Sequence, residues 1–286
     1  MPVDPSQALG ATLPPFTSSW DPDTVILYHL GVGAGLEKPT EAAELAYTYE
    51  QNLVVLPSFG VVPAFPALMS AVLGAVPGLA VNPAMVLHGQ QDLEIHRPLP
   101  TSATVENRGR ISSLYDRGKA AIFTVEIESG PPGGEPFFTN RYVIFARGEG
   151  GFGGEAPPKP GNAAPERPAD AVVESPTMPQ QALLYRLSGD KNPLHADPNF
   201  SRLGGFEVPI LHGLCTYGIA CKAVVDHLLD GDVSRVARYQ VRFTGVVFPG
   251  ETIVTSMWRE DDRIVLTATT RERGEAVLSN AAIWTR

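Results

Sequence analysis

Asp190 and His195 stand in one short loop, SGDKNPLHADPNF, over residues 188–200. Pro193 lies between them and pushes Asn192 out of helical geometry, so helical facing rules do not fix the two side chains. Such a loop can fold both ends toward one point. A carboxylate and an imidazole converging on a water can hold it, take its proton and return a proton to the product. A plainer reading uses the same residues. Asp190 then caps the turn after Gly189, while His195 and Asp197 pair on the surface. Residue chemistry alone leaves both readings open.

The surrounding pattern says what must position the loop. Thr177 as N-cap with Gln180 at N3 predicts a short helix through Leu187, ended by Gly189. After the loop, a long helix is expected over about 211–230. Leu214, Gly218, Cys221, Val225 and Leu228 recur at steps of four and three and draw one apolar stripe with a small-residue opening at Gly218. Gly231 is its expected stop. Strand-like segments follow: ARYQVRFTGVV, ETIVTSMWRE, and a last stretch long enough for a hairpin around Arg273–Gly274.

The first half repeats this plan. Asp21 before Pro22 predicts a capped helix ending near YHLGVG, and the less clear central helix falls within Val61–Leu73, where Pro63 and Pro66 obscure its start. Strand-like segments from LEIHRPLP to FFTNRYVIFARG follow. Tyr28-His29-Leu30-Gly31 approximately echoes Tyr185-Arg186-Leu187-Ser188, but the Asp-x-Asn-Pro-x-His ending has no counterpart in the first half. Between the halves, residues 147–170 are rich in Gly and Pro and offer little apolar surface to offset ordering entropy. The expected organisation is therefore a first unit at 1–146, a linker at 147–170 and a second unit at 171–286. A long helix followed by antiparallel strands, twice over, implies an α+β fold in which two sheets join edge to edge.

Composition narrows the class of function. The chain has 286 residues, 43% hydrophobic and 19% charged, with a formal net charge of -9 from 22 Lys+Arg against 31 Asp+Glu. No basic stripe suggests nucleic acid. The N-terminal stretch does not read as a signal peptide, and no run approaches the roughly 20 apolar residues of a membrane span. Cys215 and Cys221 would not face each other on one helix, and they form no zinc spacing. Cys215 reads as a packing residue rather than a nucleophile. His29, His96 and His227 read as ordinary packing or surface histidines.

SGDKNPLHADPNF, then GGFEVPILHGLCTYG and VRFTGVVFPGET, resemble the MaoC-like hydratase family, in particular the R-specific enoyl-CoA hydratases known as hydratase 2. YHLGVGAG, LPSFGVVP, HGQQDLEIHRPLP and LYDRG carry the resemblance through the first half. It implies a tandem double hot-dog fold, in which long helices are wrapped by antiparallel sheets and the catalytic motif survives only in the second half. The first half then shapes the acyl tunnel. Carried over residue by residue, Asp190 and His195 hold the water that adds to C3, and Asn192 supports their loop. The N–H of Gly213, at the start of the long helix after His212, polarises the thioester oxygen. His88, Gly89, Arg117 and Phe243 match substrate contacts, with Arg117 in place of the family's lysine. Phe243 also fits the core side of an alternating strand, and His88 a strand-end histidine.

The implied reaction is reversible hydration of a trans-2-enoyl-CoA to a (3R)-3-hydroxyacyl-CoA, with no metal and no cofactor beyond the CoA of the substrate. The alternatives are an acyl-CoA thioesterase, which the same fold hosts, and a noncatalytic acyl-CoA-binding subunit. The tandem halves suffice for a monomer, while the resemblance favours a homodimer. With Ile283-Trp284-Thr285-Arg286 at the end and no Ser-Lys-Leu address, the expected compartment is the cytoplasm.

Overall fold

Ten strands hydrogen-bond into a single antiparallel sheet in the computed structural model, which describes residues 3–286. In the first half they are β1 (Phe16–Trp20), β2 (Val86–Ile95), β3 (Ala103–Asp116), β4 (Ala120–Gly130) and β5 (Phe138–Arg147). In the second half they are β6 (Ala171–Pro176), β7 (Val236–Phe243), β8 (Thr252–Arg259), β9 (Arg263–Thr270) and β10 (Ala276–Thr285). The helices are α1 (Pro5–Ala8), α2 (Pro22–Gly31), α3 (Ala42–Thr48), α4 (Val61–Ser70), α5 (Gln181–Tyr185), α6 (Pro198–Leu203) and α7 (Gly213–Leu228). Met1 and Pro2, which belong to the expected first unit and to the stretch read for a signal peptide, lie outside the described residues.

The strand order is β1-β3-β4-β5-β2-β7-β10-β9-β8-β6. Outward from the centre it runs β2, β5, β4, β3, β1 on one side and β7, β10, β9, β8, β6 on the other. The same plan therefore appears twice, joined edge to edge, so the joined edges are paired rather than exposed. At the joint Asp92 lies opposite Gln240. Its carboxylate accepts from Arg238 Nε at 2.7 Å, Arg238 Nη2 at 2.5 Å and Gln240 Nε2 at 3.2 Å. One long helix packs against each half-sheet, α4 in the first half and α7 in the second. This is the tandem hot-dog arrangement that the family resemblance implies.

Helix α7 follows its predicted stripe, and Leu214, Gly218, Cys221, Val225 and Leu228 are all buried. It is shorter than expected at both ends. His212 is extended (φ -60, ψ 135), and the chain leaves the helix at Leu229 before Asp230 turns left-handed (φ 57). Gly231 (φ 76) then donates its N–H to Val225 O at 3.0 Å, the left-handed C-terminal stop that glycine favours. Gly218 admits the first half: a Cβ there would come within 2.5 Å of Val32 Cγ1 and 2.7 Å of Tyr28 Oη. Helix α2 forms as its cap predicts, with Asp21 accepting from Thr24 N at 2.9 Å and Pro22 in the first turn.

The cap at Thr177 does not form. Its hydroxyl donates to Glu251 O at 2.7 Å and accepts from Gly250 N at 2.9 Å, tying β6 to the turn before β8, and α5 starts only at Gln181. The sequence pattern does not mark strands β1 and β6. The 57–74 stretch is long and apolar enough to cross a membrane by composition, yet it is largely buried, with α4 packed beneath β3, β4 and β5. Arg147 closes β5, and residues 148–170 run over the surface without helix or strand. This segment is pinned: Gly151 N donates to Asp116 at 3.0 Å, Asn162 Nδ2 to Gln240 at 3.0 Å, and Trp258 Nε1 to Arg167 O at 2.9 Å.

Candidate active site

The 188–200 loop is held open by its own backbone chemistry. Gly189 ends the turn after α5 at φ 130, a conformation suited to glycine. Asp190 Oδ1 accepts from Asn192 N at 3.0 Å, and Asn192 Oδ1 accepts from Leu194 N at 3.0 Å. Asn192 thereby caps a single 3₁₀ turn over Pro193–His195 and carries the chain from one site residue to the other. The side-chain ligand atoms of Asp190, His195 and His212 all lie within 4.8 Å of one another. The surface pairing of His195 with Asp197 does not occur: His195 is only 8% exposed, and Asp197 caps α6 instead.

His195 Nδ1 lies 2.9 Å from Ile210 O. A carbonyl only accepts, so Nδ1 carries the proton and Nε2 presents a free lone pair. Burial holds the imidazole below its ordinary value; the bond to Ile210 and the negative charge of Asp190 oppose this, and Arg186 adds to it. The ring is therefore neutral and basic at neutral pH. One oxygen of Asp190 is occupied by Asn192 N, which leaves the other for a water.

A third side chain, His212, stands in the site without a motif of its own to mark it. Its ring stacks on His195 with centroids 3.7 Å apart and planes at 27°, and its Nε2 donates to Asp190 O at 3.2 Å. The available signal was its position directly before Gly213 at the head of the apolar helix.

Gly213 is the first residue of α7, where its N–H has no intrahelical acceptor. A Cβ at Gly213 would meet Phe243 Cδ1 and Cε1 at 3.2 Å. Phe243 in turn lies 4.9 Å from the His88 ring, centroid to centroid. His88 Nε2 donates to Gln90 O at 3.1 Å, and burial pushes its pKa down to about 4. Gly213, Phe243 and His88 thus meet on the helix side of the central strands.

Gly89 and Arg117 lie elsewhere. Gly89 follows His88 on β2 and so falls on the opposite face of the sheet, and the register shift between His88 and Gln90 keeps Gln90 on that face with it. There, with Arg117, Arg242 and Lys159, it lines a cavity of about 420 Å³ roofed by residues 157–161 of the connecting segment. The four expected substrate contacts therefore form two groups on the two faces of the sheet.

The other candidates are structural. His29 is fully buried, with Nδ1 donating to Tyr47 O at 2.8 Å and Nε2 accepting from Leu56 N at 3.1 Å. His96 bonds Thr139 Oγ1, and His227 bonds Ala223 O. Cys215 and Cys221 are buried free thiols; burial raises the pKa of both, so neither is a thiolate nucleophile.

Residues 18–148 match the family described as MFE-2 hydratase 2 N-terminal domain, and residues 161–281 match the MaoC like domain. An enoyl-CoA hydratase of Mycobacterium tuberculosis is 45% identical over 278 residues, covering 97% of each chain. The chain belongs to the MaoC-like hydratase family. Its mouse relative, peroxisomal multifunctional enzyme type 2, is 42% identical over 281 residues, covering 96% of this chain and 38% of that one. The crystal structure of a MaoC-like dehydratase from Phytophthora capsici superposes with a TM-score of 0.88 at 32% identity, covering 99% of both chains. These MaoC-like relatives correct one expectation, the cytoplasmic compartment. Relatives from mouse, Arabidopsis thaliana and Neurospora crassa are peroxisomal by name. An address is read by a receptor and leaves no trace in fold or site, so the residues that identify the family carry no compartment with them.

Proposed function

We propose that this chain reversibly hydrates a trans-2-enoyl-CoA to the (3R)-3-hydroxyacyl-CoA, with Asp190 and His195 as its acid–base pair. The observation that carries the reading is the convergence of the Asp190 carboxylate and the His195 imidazole beside the N-terminus of α7. A water held between Asp190 and His195 Nε2 gives one proton to Nε2 as its oxygen bonds to C3. The electron pair of the C2–C3 double bond moves toward the thioester oxygen, which accepts from Gly213 N–H in the field of the helix terminus. C2 then takes a proton from the same pair as the carbonyl re-forms. Conjugation to the polarised thioester makes C3 electrophilic, so the step needs no metal.

In this reading His88 and Phe243 line the acyl side of the thioester, and Gly89 and Arg117 bind the CoA end. The cationic residues Arg117, Lys159 and Arg242 around the outer cavity suit its phosphates. Residues 1–146 form a noncatalytic unit that shapes the acyl tunnel, 147–170 connect, and 171–286 form the catalytic unit, with one productive site per chain. The working assembly is a homodimer, which light scattering tests. Incubation with crotonyl-CoA tests the reaction. Loss of enone absorbance without free thiol, and a 3R product on chiral chromatography, are expected. Thiol release would establish the thioesterase reading, a 3S product would overturn the stereochemistry, and binding without turnover would mark a noncatalytic subunit.

A further inference from the structure

Residues 210–213 supply more of the site than one donor. Ile210 O fixes His195 Nδ1 at 2.9 Å, and Gly213 opens α7 with its free N–H. Between them His212, only 1% exposed, is the helix N-cap residue, yet its side chain makes no capping hydrogen bond. The ring turns toward the catalytic loop. One side stacks on His195 at 3.7 Å, and Tyr185 lies at 4.9 Å with its plane tilted by 54°. Tyr185 is itself 6.0 Å from Tyr28 of the first half, so the stack is backed by the buried core.

The hydrogen bond from His212 Nε2 to Asp190 O fixes the tautomer, because the carbonyl only accepts. Nδ1 is then a bare lone pair, and among the described residues it is buried without a hydrogen-bond partner. An acid or base needs a partner to pass its proton to, and among the described residues this atom has no hydrogen-bond partner. Burial, followed by the adjacent His195, pushes the His212 pKa down to about 2, so the ring stays neutral throughout the working range. A flat ring with one N–H aimed at the loop is what this position uses.

We propose that His212 is a positioning residue of the hydration site, its ring fixing the plane of His195 and its Nε2–H fixing the backbone of Asp190. This rests on the assignment of Asp190 and His195 as the reacting pair. Both are set relative to Gly213 by a residue adjacent to it in the chain, so water, base and oxyanion donor share one rigid reference. The groups facing His195 are Asp190, Arg186 and His212, and Tyr185 adjoins His212.

The test compares His212→Phe, which keeps a stacking ring and loses the donor, with His212→Ala, which loses both. Misplacement of a reacting group by about 1 Å can cost about 100-fold, so turnover should fall about 100-fold in the alanine variant and about tenfold in the phenylalanine variant. KM should change little in either. The acid limb of kcat/KM should move toward pH 6.5 in the alanine variant, where His195 loses its cover, and stay in place in the phenylalanine variant. Wild-type turnover and an unmoved acid limb in a folded alanine variant would overturn the proposal. Equal loss in both variants with no pH shift would overturn it too, since the stacked ring would then contribute nothing to the placement of His195. If alanine does not fold, the phenylalanine variant decides by its kcat and KM: a fall in kcat alone supports positioning, and unchanged kcat refutes it. Absence of hydration by the wild-type chain would instead refute the underlying reading.

Discussion

Gly213→Pro takes the backbone N–H from the start of α7 while leaving the helix able to form. Proline is favoured at the first helical position, where its missing N–H has no intrahelical acceptor to lose. The preceding residue must be extended, and His212 already is, at φ -60 and ψ 135. The added atoms are not free of cost, because a Cβ would meet two Phe243 ring carbons at 3.2 Å. Gly213→Ala imposes that same contact and keeps the N–H, so it isolates the donor from the crowding. Removing one oxyanion donor costs about 3–4 kcal/mol of transition-state stabilisation, or roughly 10²–10³ in rate. Hydration of crotonyl-CoA, followed by enone absorbance, should therefore be at least about 100-fold slower in the proline variant than in the alanine variant. Their thermal midpoints should be similar. Proline turnover within tenfold of alanine, with both proteins folded, would remove Gly213 N–H from the mechanism.

Three further outcomes follow from particular contacts. Arg117→Ala should raise KM for CoA thioesters while leaving KM for the matching thioesters of N-acetylcysteamine, which lack phosphates; an equal change for both would remove Arg117 from phosphate binding. Gly218→Ala forces a Cβ against Val32 and Tyr28 and should destabilise the chain by about 1–3 kcal/mol in urea unfolding, whereas an unchanged midpoint would contradict close packing of α7 on the first half. Burial holds His29 neutral in the folded chain down to about pH 4, while the unfolded chain takes up that proton below 6.5. Stability is therefore lost as pH falls through this window, about 2–3 kcal/mol of it from His29 by pH 4.5. His29→Gln should lose correspondingly less between neutral pH and pH 4.5, and an identical loss would refute that assignment.

The parts legible in the sequence were those encoded locally. Asp21–Pro22 predicted the start of α2, the 214–228 stripe predicted α7, and Gly189, Asn192 and Pro193 predicted a loop free to bring Asp190 and His195 together. What escaped depended on distant partners. Thr177 satisfies the chemistry of a cap, but its hydroxyl bonds to residues 250–251 instead. Strands β1 and β6 are short, half-exposed edge strands whose existence depends on pairing with β3 and β8. The duplication was visible as a repeated order of elements, but the joint between β2 and β7 depends on pairing across the chain at Asp92, Arg238 and Gln240. His212 was hidden for the same reason: a histidine before a helix acquires its role only from the rings packed against it.

The central claim is that Asp190 and His195 act on water at C3. Asp190→Asn tests it most directly, because the amide keeps the side chain's volume and its acceptor for Asn192 N while losing the anionic charge. Measured at saturating crotonyl-CoA, with thioester binding checked by calorimetry, the variant should bind as wild type does and hydrate at least about 100-fold more slowly, as should His195→Ala. Near wild-type turnover by either folded, substrate-binding variant would contradict the account.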